Sequence, residues 1–168
     1  MKWAIIVLIM MSLIGSMMWV MPTPRQRFQS KLRLDARKLG FQVSLGKLSL
    51  PRAKGETEGE ELNRPLYRYG RTGLDRKERD QFVGWTVARI ETLAQDGLPP
   101  GWSWVRGEHT LAQARLQQLS EWLVSLPKEV DAVESDSLHL CLYWREPERP
   151  GALDELANFA KQAVARKL

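Results

Sequence analysis

The chain has 168 residues, a net charge of +5 and a single cysteine, Cys141. Setting aside an apolar N-terminal stretch leaves about 145 residues, enough for one domain with a modest core and not obviously for two. A lone cysteine excludes an intrachain disulfide framework and suits a reducing compartment.

Trp3–Met21, reading WAIIVLIMMSLIGSMMWVM, carries no charge and no proline. As a helix it would rise ~28 Å, close to the ~30 Å hydrocarbon core of a bilayer. Trp3 and Trp19 stand near its two ends, where an indole favours the headgroup level. Pro22 and Pro24 stop the helix. Residues 1–22 are therefore expected to form a transmembrane anchor. A cleaved signal peptide is the rival reading, but the apolar run exceeds the usual length of roughly 7–15 residues and no small-x-small site closes it.

Arg25, Arg27, Lys31, Arg33, Arg37 and Lys38 follow within residues 23–40, opposed only by Asp35. The remainder of the chain is close to neutral, so the basic character is local. Such a cluster resists translocation and is drawn to anionic headgroups. The expectation is a single-pass bacterial inner-membrane protein, N-terminus periplasmic and domain cytoplasmic, with the bilayer's anionic headgroups as one partner. Phe28, Leu32, Ala36 and Leu39 recur at helical spacing. That stripe suits a juxtamembrane amphipathic helix lying on the membrane surface or packing on the domain behind it.

Residues 41–168 read as the domain. Phe41–Leu50 alternates as a strand and changes parity at Gly46, which predicts a bulge there. Pro51–Pro65 is polar and rich in Glu and Gly, a flexible loop. Leu66–Tyr69 reads as a short strand. Phe82–Glu91 fits a strand better than a helix over 75–95, because of its aromatic and β-branched content. After the 96–101 turn, Trp102 and Trp104 face the same side of a short strand. Thr110–Leu126 is the clearest amphipathic helix, with Thr110 placed to cap it. Val130–Glu134 and Leu138–Trp144 flank a turn and predict a hairpin. Ala152–Lys167 reads as a terminal helix. Strands in runs with interposed helices and no βαβ rhythm predict an α+β domain, its antiparallel sheet covered by about two helices.

No phosphate-binding glycine loop, GxSxG, HExxH or CxxC occurs. His109 falls in a turn. His139 and Cys141 share one strand face but lack the third ligand that zinc requires. Asp131, Glu134 and Asp136 read as solvated turn acids. No catalytic, cofactor-binding or metal-binding residue is assigned. Trp85, Trp102 and Trp104 belong to the core unless exposed, in which case they mark an interface.

The run MPTPRQRFQSKLRLDARKLGFQVSL, then LPPGWSWVRG and LPKEVDAVESDSLHLCLYWRE, is similar to a group of single-pass inner-membrane proteins of proteobacteria. Some of these are labelled as preprotein translocase accessory subunit-like. The resemblance implies the anchor-plus-domain layout and supplies no activity, cofactor or site residue. The expected function is thus a non-catalytic protein-interaction or assembly factor, partnered by another membrane or cytosolic protein and not by nucleic acid. Two alternatives stand beside it: a membrane-associated enzyme or ligand-binding domain with a Trp-lined pocket, and a lipid-surface or nucleic-acid-binding module using the basic cluster.

Overall fold

The computed structural model describes residues 2–20, 22–52 and 59–168, with the backbone alone for 17–20. Two compact units divide the chain, Met1–Lys31 and Leu32–Leu168.

In the first unit, helix α1 spans Lys2–Val20. Among the described residues no helix is long and apolar enough to cross a membrane. This overturns the anchor expected over Trp3–Met21, and with it the single-pass, inner-membrane and N-out placement. The helix that forms there, α1, begins at charged Lys2, and Met21 of the expected span lies outside the described residues. Trp3 is 80% exposed, while the side chain of Trp19 lies outside the described residues. Helix α2, Pro24–Lys38, starts with proline at its first position and Thr23 as cap. The Thr23 Oγ1 accepts from the Gln26 amide and Gln26 Oε1 accepts from the Thr23 amide, a reciprocal box.

The second unit carries the sheet. The strands β1 (Phe41–Ser49), β2 (Glu61–Gly70), β3 (Trp85–Ala88), β4 (Ser103–Arg106), β5 (Val130–Ser135) and β6 (His139–Trp144) lie in the order β1-β2-β6-β5-β3-β4. Every pairing is antiparallel. Helices α3 (Arg76–Asp80), α4 (Gln113–Ser125) and α5 (Ala152–Ala165) complete the fold. The α+β class with an antiparallel sheet is as expected.

The main core joins Phe41, Tyr67, Trp85, Val87, Leu140, Leu142 and Trp144 from the strands to Ala36 of α2, Trp122 and Leu123 of α4, and Leu156 and Ala160 of α5. Three helices, not two, thus cover one sheet face. Of the two readings of α2, the structure supports packing on the domain: Leu32 and Leu39 press on this core and Ala36 is fully buried.

Several local expectations are corrected. Strand β1 pairs with β2 residue for residue from Phe41↔Tyr69 to Ser49↔Glu61, so Gly46 carries no bulge. A Cβ at Gly46 would lie 2.7 Å from the Tyr143 ring and 2.9 Å from Leu66 Cβ. The glycine makes room for the ring. Strand β2 begins at Glu61, inside the stretch read as loop, while the part of that loop over 53–58 lies outside the described residues. Helix α4 starts at Gln113 without a side-chain cap, because Ala112 holds the cap position; the Thr110 hydroxyl donates to the Gly107 carbonyl.

The uncovered sheet face

Side chains alternate across a strand, so the register fixes what stands opposite the helices. Ser44, Leu66, Tyr143, Ala132 and Ala88 share one row of that face, and Gln42, Arg68, Cys141, Glu134, Thr86 and Arg106 the next. Leu66, Ala88, Ala132, Cys141 and Tyr143 form a second apolar cluster with Leu48, Leu50, Leu62, Ile90 and Val105 around it. Among the described residues no helix contributes to that cluster. Within it the Tyr143 ring lies over Gly46.

The polar centre of this face depends on an irregularity. The β5–β6 register shifts between Val130 and Ala132, leaving Asp131 in a bulge. Its carboxylate turns to the open face, where Arg64 Nε donates to Oδ2 at 2.8 Å and Arg145 Nε to Oδ1 at 2.7 Å. The Arg145 Nη2 makes a second, short contact with Oδ1. Asp131 is 6% exposed, whereas both arginine side chains remain about half exposed. Desolvation pushes the Asp131 carboxyl up, but hydrogen bonds from Arg145 and Arg64 outweigh it and leave the group below the usual carboxylate range. Along the next row Arg106 lies 3.5 Å from Glu134, and Arg68 stands exposed beside Cys141. Four arginines therefore meet two acids on a face with an apolar floor.

Cys141 is buried in this floor; burial, then Glu134, pushes its thiol up to about 12. The same two causes take Tyr143 to about 12. Neither group ionises near neutrality. His139 and Cys141 do share the face, as their spacing indicates. Among the described residues no three His, Cys, Asp or Glu side chains gather as a metal would need.

The basic cluster of α2 is divided by the fold. Arg25, Arg27 and Lys31 are exposed within the first unit. Lys38 pairs with Asp35 at 2.7 Å. Arg33 is instead a structural lock: its Nε and Nη2 donate to the two oxygens of Glu146 at 2.7 and 2.9 Å, and the Tyr67 hydroxyl donates to Oε1 at 2.9 Å. The Glu146 side chain is fully buried and its backbone has φ 52°, a left-handed conformation uncommon outside glycine.

Trp85, Trp102 and Trp104 are 1%, 2% and 3% exposed and lie in the main core. The Trp104 indole donates to the Asp96 carbonyl at 3.0 Å. A cleft of about 240 Å³ beside it is lined by Asp96, His109, Leu111, Gln113 and Leu116. His109 Nδ1 lies 3.7 Å from Asp96 Oδ2, yet both side chains are more than two-thirds exposed. Such a dyad in open water lacks the desolvation that tunes catalytic groups.

Arg64, Arg68, Arg106 and Arg145 were absent from the residues singled out by sequence. The signal for two of them was the spacing Arg64-x-Leu66-x-Arg68 on what the loop reading obscured as a strand. No family model matches the chain, and neither does any curated protein or solved structure.

Proposed function

We propose that the domain of residues 32–168 is a non-catalytic binding module that docks on an acidic surface of another protein through its uncovered sheet face. The observation that carries this reading is the arginine frame of that face: Arg68, Arg106 and Arg145 stand exposed, and Arg64 half-buried, over the buried side chains of Leu66 and Tyr143. Arginine is among the residues that protein interfaces favour. Asp131 holds Arg64 and Arg145 in place, so little side-chain freedom is lost on binding.

The test is site-specific photo-crosslinking in cells that make the protein. A photoreactive residue at Arg68 should yield one discrete protein adduct, and the same residue at exposed Asn158 of α5 should not. Adding Arg106→Glu should reduce the adduct at least about tenfold, since charge complementarity sets encounter as well as affinity. A nuclease-sensitive adduct, equal adducts from both positions, or none from Arg68 would overturn the reading.

A further inference from the structure

We infer that the outer edge of β1 accepts an extended acidic segment of a partner protein as a seventh strand. The inference rests on reading the domain as a protein-binding module and names a second, separate docking element. Strand β1 stands at the end of the sheet, is hydrogen-bonded to β2 alone among the described residues, and is regular over nine residues. A long regular edge presents a row of unpaired amide and carbonyl groups, which is the template for strand addition.

The edge is flanked by a groove. Arg33 and Arg37 of α2 line a cleft of about 190 Å³ with Val43, Ser44, Leu45 and Pro65. On the helix side of the strand Phe41 is buried and Val43 half-buried, but Leu45 is 74% exposed and Lys47 follows it. An added strand would pair its backbone with β1 and turn alternate side chains into this groove, against Val43 and Leu45 and beneath Arg37.

Charge selects the occupant. Arg37 and Lys47 have no ion-pair partner among the described residues, and Arg33 adds the unused part of its guanidinium. A second copy of β1 would bring Lys47 and Arg37 against their own kind, a like-charge contact that edges use against self-pairing. An acidic strand meets no such barrier. The peptide pattern that follows places acids on either side of one apolar residue on the same strand face: the apolar group opposite Leu45, one acid near Lys47 and the other near Arg37.

The probe is a fluorescent, end-blocked peptide of sequence TETVTET, titrated with the full chain and read by anisotropy. Saturable binding is expected, at least tenfold tighter than for TKTVTKT and for TETVTET carrying N-methyl groups on alternate residues, which cannot pair along the edge. Arg37→Glu should weaken binding at least tenfold while leaving the thermal midpoint unchanged. Equal binding of the lysine or N-methylated peptide, no saturable binding of TETVTET, or an unaffected Arg37→Glu variant would each overturn the inference. So would concentration-dependent self-association that Arg37→Glu alters, since a second copy would then hold the edge. The Arg68 crosslink reports on the other face, so its persistence alongside a failed titration removes the seventh strand and leaves the binding module standing.

Discussion

Asp131 shows how one displaced residue organises a surface. In a regular ladder its neighbours alternate inward and outward, and the bulge alone frees its carboxylate to meet two arginines from β2 and the end of β6. Asp131→Asn keeps the shape but removes the charge, and should cost about 1.5–3 kcal/mol in urea denaturation at pH 7, the range for hydrogen bonds to charged groups. The folded carboxyl titrates below its ordinary value of about 3.9, so its contribution is fully present above about pH 4 and is lost as pH falls through the folded value. The stability difference between wild type and Asp131→Asn should therefore be flat from pH 5 to 8 and shrink below pH 4. Cys141 gives a second residue-scale test. With its thiol at about 12, alkylation by iodoacetamide at pH 8 should be at least about 100-fold slower in the folded chain than in urea, because only the thiolate reacts. Rapid labelling of the native chain would contradict the buried floor.

At the scale of elements, sequence and structure part company for identifiable reasons. The hairpin of β5 and β6 was legible because Asp136 announces its own turn: its Oδ1 accepts from the amides of Leu138 and His139 at 2.6 and 2.7 Å. The strand within 82–91 was legible from Trp85, Thr86 and Val87, although only Trp85–Ala88 forms it. Gly46 misled, since a glycine that breaks parity signals a bulge unless a distant ring needs the space, and Tyr143 lies far along the chain. Gly46→Ala should be destabilised by about 1–3 kcal/mol, the usual range for overpacking, as a lower denaturation midpoint with an unchanged slope. Helix α2 was also ambiguous on its own terms. Nothing near Arg33 in sequence reveals that Glu146 waits for it, and Glu146 itself reads as a loop acid between Arg145 and Pro147. Arg33→Ala leaves a fully buried carboxylate with only the Tyr67 hydroxyl, and should cost about 3 kcal/mol. Arg33→Lys should recover only part of that loss, because an ammonium cannot reproduce the two-pronged contact.

At the scale of the molecule, composition and hydropathy located the apolar N-terminal helix but not its role, and periodicity located the domain behind it. The open face stayed hidden because it is assembled from β2, β4, β5 and β6, and only the strand order brings its arginines together.

The strand order also sets a timetable for folding. Strand β6 pairs with β5 through a short turn but with β2 only after the intervening β3, β4, α3 and α4 have been threaded past. Closing that seam carries the entropy of a long loop, whereas the β5–β6 hairpin forms locally. The β1–β2 ribbon should then join the sheet last and leave it first, along the Leu66↔Tyr143 and Arg68↔Cys141 rungs. Amide hydrogens of β1 should exchange through this partial opening well before those of β5. Both surfaces proposed for binding straddle that ribbon, so a partner that grips it would slow exchange across the whole seam.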